Sequence, residues 1–242
     1  MKRTLTLFIA LALWLTACAA PAAEPTRAPQ PVEPIPTATP ENSAPTPQAS
    51  ATPQEEPNPT QPAGMQTYVI IPGESQVSYE VGETFFNQNN RFNVAIGTTS
   101  QINGQITLDP ANPANSSIST IEIDISQFQS DSSRRDGVIR DRYLESARYP
   151  IAVFVPTAIE GLPSTYTPGE LLTFGVTGDL TVRQTTRSVT FDVTARLDGD
   201  TLSGSAMTTI LMSDFGVGPI EIAGILGTED EVKLSFNFVA RP

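Results

Sequence analysis

From residue 65 to the end of this chain, apolar and polar residues alternate in run after run, and no other feature restricts the fold as much. Val77, Tyr79 and Val81 alternate with Ser78 and Glu80, while Ile102, Ile106 and Leu108 share one face with Gly104. Ile121, Ile123 and Ile125 alternate with Glu122 and Asp124. The pattern continues through Leu172, Phe174, Val176, Leu180 and Val182, then Val189, Phe191, Val193 and Leu197, and ends in Val232, Leu234, Phe236 and Phe238. Successive side chains of a strand point to opposite faces, so a period of two means one buried face and one wetted face. Asp109-Pro110, Asn112-Pro113, Pro168-Gly169 and Asp198-Gly199-Asp200 separate the runs as turns. About seven to nine antiparallel strands of this kind must pack as a sandwich or close into a barrel. One segment departs from the pattern. Between Ser132 and Ala147, the apolar residues Val138, Ile139, Tyr143 and Leu144 fall at short-helix spacing, and Tyr149-Pro150 then restores extended chain. Such a segment is placed to cover one side or one mouth of a barrel.

The residues before this domain divide in two. Lys2 and Arg3 precede an apolar stretch from Leu5 to Leu15, too short to span a bilayer comfortably, and Leu15-Thr16-Ala17-Cys18 follows at once. This resembles the lipobox of bacterial lipoprotein precursors. The resemblance implies a signal peptide over 1–17, acylation of Cys18 and an extracytoplasmic, membrane-anchored protein on the periplasmic or cell-surface side. Two or three acyl chains hold a protein stably where one does so only marginally. Residues 19–64 carry 13 of the 22 prolines and no aromatic residue, so they cannot bury enough surface to offset chain entropy. Residues 18–64 are expected to be a lipidated N-terminus and Pro-rich linker that reaches roughly 140 Å when extended at about 3.1 Å per residue. Residues 65–242 form the folded domain.

Chemistry has few footholds. The chain has no histidine, its single cysteine is the lipid site, and no Gly-rich phosphate loop, Ser-x-x-Lys or Gly-x-Ser-x-Gly is present. With 14 basic against 26 acidic residues, nucleic acid is not an expected partner. No metal site, cofactor or catalytic residue is expected. Glu229, Asp230 and Glu231 read as a solvated loop just before a strand. Arg134, Arg135, Arg140, Arg142 and Arg148 crowd into one stretch of an acidic domain. They could meet an anionic head group at a barrel mouth, but pairing with Asp131, Asp136, Asp141 and Glu145 is the simpler expectation.

Several motifs together resemble the YceI-like domain, a lipocalin-like bacterial periplasmic module that binds polyisoprenoids and related amphiphiles. Tyr68-Val69-Ile70 with Ser75-x-Val77-x-Tyr79-x-Val81 is similar to its first strand. Gly104-x-Ile106-x-Leu108-Asp109-Pro110 and the turn from Asn112 to Ser117 follow. Arg135-Asp136, Leu144, Tyr149-Pro150 and Phe154 resemble its helical crossover. Gly178-Asp179-Leu180-Thr181-Val182, Ser213-Asp214-Phe215-Gly216-Val217-Gly218 and Asp230-Glu231-Val232-Lys233-Leu234 complete a match over residues 67–240. Two family histidines are replaced, by the Arg142-Tyr143 and Arg183-Gln184 segments. The resemblance implies an all-β, antiparallel lipocalin-like barrel of about eight strands with one short helical crossover, whose interior takes a long apolar chain.

Alternation selects the residues expected to face that interior: Val77, Tyr79, Val81, Phe92 and Val94 early in the domain, then Ile106, Ile121 and Ile123. Phe154, Phe174, Val176, Phe191 and Phe236 complete the set. Phe85, Phe86, Ile139, Tyr143 and Leu144 lie in irregular segments and are expected at a mouth or lid. The expected function is non-enzymatic: a membrane-tethered binding and carrier protein for an isoprenoid-like lipid, with a homodimer left open. The alternative is a surface interaction or adhesion module that uses the barrel as a scaffold around a filled core.

Overall fold

The computed structural model describes residues 64–242. The expected signal peptide 1–17, Cys18 and the Pro-rich segment as far as residue 63 lie outside the described residues. The strands are β1 (Gln66–Ile70), β2 (Gln76–Phe85), β3 (Arg91–Thr99), β4 (Ile102–Asn103), β5 (Gln105–Leu108), β6 (Ser117–Ile118) and β7 (Ile121–Asp124). They continue as β8 (Ile151–Glu160), β9 (Leu172–Val182), β10 (Thr185–Asp198), β11 (Thr201–Leu211), β12 (Glu221–Ile222) and β13 (Leu226–Arg241). A short helix, α1 (Ser133–Val138), extends through a wider π-type turn at Ile139–Tyr143.

The sheet closes through segments that lie end to end. β7, β8, β9, β10, β11 and β13 form one antiparallel ladder. β13 then takes both β1 and β2 along its free edge, with Ile70 opposite Ala240 and Val77 opposite Phe236. The next stretch is β3, β4 and β5 in succession: β3 pairs with β2, β5 with β1, and β4 with β7, where Ile102 lies opposite Ile123. The ladder has returned to its start, and the result is an all-β antiparallel barrel with a single helical crossover. At the seam between β4 and β5, a Cβ on Gly104 would lie 2.3 Å from Ile121 Cδ1, so a larger residue there would push that side chain aside. Around this seam Tyr68, Ile70, Ile102 and Ala240 are almost completely buried.

Two bulges change which residues face inward. In β8 the register slips between Pro156 and Ala158, at a residue with no N–H to give the ladder. Phe154 is therefore buried before the bulge, and Ile159 lies against the core after it. In β13 the register slips between Thr228 and Val232. Glu229, Asp230 and Glu231 thus lie within a strand, not in a loop before one as the sequence suggested. Asp230 there accepts hydrogen bonds from Ser213 N at 2.8 Å and Ser213 Oγ at 2.5 Å.

Candidate functional site

The wall from β8 to β11 shows how alternation becomes a site. On β9 and β10, Val176 lies opposite Phe191 and Phe174 opposite Val193, all turned inward. On the outer face of the same strands, the Thr177 and Thr190 hydroxyls meet at 2.8 Å, as do those of Thr181 and Thr186. Phe154 and Phe191 meet edge to face with centroids 5.1 Å apart. These rings do not fill the barrel. A cavity of about 310 Å³ remains inside, within the size range of ligand sites.

Fourteen of the residues expected at the interior or mouth line this cavity. They are Val77, Tyr79, Val81, Ile106, Ile121, Ile123, Phe154, Phe174, Val176, Phe191 and Phe236 from the strands, with Ile139, Tyr143 and Leu144 from the crossover. The remaining lining is also mainly apolar; Asp109, Ser116, Arg196 and Ser235 are its polar exceptions besides the tyrosines. Tyr166 was not foreseen. It lies in the loop between β8 and β9, and its hydroxyl donates to Leu197 O at 2.9 Å while accepting from Leu197 N and Gly169 N at 3.1 Å. Leu162 of the same loop also lines the cavity. The Pro168-Gly169 turn marked this loop in the sequence, but nothing there indicated that it folds over the interior. Phe128 and Phe238 were missed as well, although Phe238 shares its strand parity with Phe236.

Four expected residues lie elsewhere. Phe92 and Val94 are 57% and 46% exposed and point outward, together with Ile96. Phe85 is stacked by Arg91, whose Cζ lies 4.9 Å above its ring, and Phe86 is exposed against the β12–β13 hairpin, where its N donates to Ile225 O at 2.9 Å. For Phe92 and Val94 the reason lies on the inner face of β2 and β3, which carries Glu83, Asn93, Ala95, Gly97 and Thr99. Glu83 is only 3% exposed; it pairs with Arg135 at 2.6 Å and accepts from Asn93 Nδ2 at 2.8 Å. Beside it the Tyr79 ring lies over Gly97, where a Cβ would come 2.2 Å from Tyr79 Cε1. The inner face at this end is therefore polar or small, and the large apolar residues of β3 are left outside.

The arginine cluster makes one of the expected pairs, Arg135 with Asp131, and its other contacts differ from those expected. Arg135 binds Asp131 and Glu83. Asp136 is buried and accepts from Ser130 N at 3.1 Å and Ser130 Oγ at 2.6 Å, not from an arginine. Arg140 donates to Phe128 O at 3.1 Å, and Arg148 lies over the Tyr149 ring. Glu145 is bound by Arg183, outside the cluster, and Asp141 makes no ion pair among the described residues. Arg183 adopts φ 57° at the β9–β10 turn and donates to Tyr143 O and Gly216 O, each at 3.2 Å. It thereby ties the crossover to the hairpin beside the cavity end lined by Tyr143, Leu144 and Val217. Burial, with the nearby Asp136 charge adding to it, pushes the Tyr79 hydroxyl up to about 12, so it stays protonated at neutral pH. Among the described residues no three acidic side chains gather as a metal site would require.

An antiparallel barrel around an apolar cavity, with a crossover packed at one end, is a lipocalin-like fold. The YceI-like domain model matches residues 68–240, and the chain belongs to that family. A UPF0312 protein of Pseudomonas putida strain GB-1 is 36% identical over 131 residues, and one of Pseudomonas fluorescens strain SBW25 is 34% identical over the same length. Each match spans 51% of this chain and 64% of the relative. Among solved structures, Burkholderia cenocepacia BcnA superposes with a TM-score of 0.56 at 26% identity, over 70% of this chain and 98% of that one. A polyisoprenoid binding domain from Saccharophagus degradans gives 0.53 at 14% identity, over 72% and 97%; at that identity the likeness is one of fold.

Proposed function

We propose that the protein binds and carries a long apolar lipid of isoprenoid type, without catalysing a reaction, while anchored to a membrane through Cys18. The apolar cavity inside the barrel carries this reading; the adhesion alternative calls for a filled interior. The polyisoprenoid-binding neighbour of the same fold adds support. Relative to water, each buried CH₂ contributes about 0.8 kcal/mol. Relative to a bilayer the same transfer is close to neutral, since both media are hydrocarbon. Lipid would therefore exchange between membrane and barrel, as a carrier requires. Tyr79 and Tyr143, with Ser116, Arg196 and Ser235, are cavity-lining residues able to hydrogen-bond a polar lipid end.

Organic extraction of the purified protein followed by mass spectrometry tests the proposal. The expected result is a long-chain apolar lipid at close to one per barrel, reduced when Phe191 or Val176 is replaced by a bulkier side chain that fills the cavity. Protein that carries no lipid and takes up no fluorescent polyprenyl probe would sink the reading.

A further inference from the structure

The β12–β13 hairpin ends in Ile222-Ala223-Gly224-Ile225, four exposed residues without a polar side chain. The β2–β3 tip lies beside it: Phe85 pairs with Leu226, and Phe86 N donates to Ile225 O at 2.9 Å. A Cβ on Gly227 would lie 2.9 Å from Phe86 Cζ, so the Phe86 ring rests on β13 just behind that hairpin. Phe86, Phe92, Ile222 and Ile225 are 49%, 57%, 39% and 45% exposed. Single apolar residues on a surface are ordinary, whereas a cluster on two adjoining tips marks a contact. Charge is distributed as unevenly as hydrophobicity. Residues 84–98 and 222–228 contain no acidic residue, in a chain with 26 of them and a net charge of −12. The single charge in those two stretches is Arg91, while Glu221 and Glu229 bound the second.

We infer that these two tips insert into a lipid bilayer, with Phe86, Phe92, Ile222 and Ile225 below the headgroups and Arg91 at the level of their phosphates. The inference rests on the membrane anchorage proposed for Cys18. The length and attachment of the chain before the domain point to a bilayer as the occupant. β1 pairs with the C-terminal end of β13, Val69 opposite Arg241, so the tether joins the domain at the end of β13 away from the tips. β13 has 16 residues and spans roughly 50 Å at about 3.3 Å per residue. A short tether would hold the wrong end of the domain against the membrane. Residues 19–64 reach roughly 140 Å at about 3.1 Å per residue, enough for the domain to turn its tips toward the surface that holds Cys18. An acidic protein is repelled by anionic lipid headgroups, and here it presents the part of its surface that lacks carboxylates. Insertion also serves the cavity. Ile220 lines it, and its N and O bond the Thr228 Oγ1 and N, each at 2.9 Å. The cavity end lined by Phe215, Val217 and Ile220 is thus brought to the bilayer, where a lipid crosses the least water on its way in.

The test couples the full chain through Cys18, its only cysteine, to phosphatidylcholine vesicles doped with maleimide-phosphatidylethanolamine. Trp14→Phe removes its only tryptophan, and Ile225→Trp then reports from the tip. Val155→Trp is the control, on the exposed face of β8 and four strands round the barrel from β13. Emission at position 225 should shift to the blue and be quenched at least twofold by phosphatidylcholine with brominated acyl chains, while the control changes in neither respect. Adding Phe86→Asp and Ile222→Asp should abolish the quenching and leave the far-UV circular dichroism unchanged. An unquenched tip overturns the inference, as does equal quenching of tip and control. So does a blue shift that needs no vesicles and grows with protein concentration, since the tips would then be covered by a second copy. The coupling supplies the tether whatever a cell attaches to Cys18, and the mass of the Cys18 peptide from cells tests the anchorage by itself. Failure of the inference and failure of the anchorage are therefore read separately, and neither readout needs a lipid in the cavity.

Discussion

The two sides of the barrel obey opposite rules. On β9 and β10 the apolar set faces in, with Phe174, Val176, Phe191 and Val193 inside, joined by Phe154 of β8, and threonines outside. In β3 the large apolar residues face out and the inner face holds Asn93, Ala95 and Gly97, packed beside Glu83, Arg135 and Tyr79. The first wall is stabilised by area removed from water, and the second by a buried ion pair and by close packing on a glycine. Hydrophobic burial is non-directional and tolerates a cavity, which suits a lipid site. A buried ion pair holds only with its own partners in place, so this wall is fixed by particular side chains.

The largest effect expected from this contrast is in the first wall. Phe154→Ala should destabilise the protein by about 4 kcal/mol in guanidinium unfolding, since the ring loses both its burial and its edge-to-face partner Phe191. A cost below 1 kcal/mol would mean that the wall relaxes around the cavity. Next comes the ion pair: Arg135→Met should cost about 3 kcal/mol by leaving Glu83 buried with only Asn93. Adding Glu83→Leu to that variant should recover most of the loss, and failure to recover would show that Arg135 acts through Asp131 instead.

A smaller effect separates the two walls by pH. The Tyr79 hydroxyl has a folded-state value raised from 10.0 to about 12. Its stabilising contribution is complete below pH 10 and is lost as pH rises toward 12, because the unfolded chain ionises first. The loss should reach roughly 2 kcal/mol after discounting for partial exposure, and Tyr79→Phe should remove that part of the pH dependence of unfolding. Smallest of all, Phe92→Ser should change the stability of the barrel itself by less than about 0.5 kcal/mol, despite the size of the ring it removes. A loss of several kcal/mol would mean that Phe92 is not on an exposed face.

How far each wall was legible follows from the same contrast. Phe174, Val176 and Phe191 were readable because nothing polar competes for their inner face, so hydrophobicity and direction coincide. Phe92 and Val94 were misread because alternation gives the two faces of a strand but not which one is inside. On β3 that choice depends on Glu83 of β2 and Arg135 of α1, and a pair 52 residues apart leaves no local signal. The bulges at Pro156 and at Glu229–Glu231 shift the phase in mid-strand, and Tyr166 reaches its place over the cavity through a backbone contact 31 residues away.

Local patterning is enough to make this an antiparallel all-β domain with one helical interruption, because period-two alternation and turn residues act over a few positions. Its motifs also placed it in its family. Closure of the ladder through β4 and β5, the cavity left inside and the inverted face of β3 were decided only in the tertiary structure. Each depends on the summed volume and charge of side chains brought together from distant strands. No single strand contains enough of either to set the outcome.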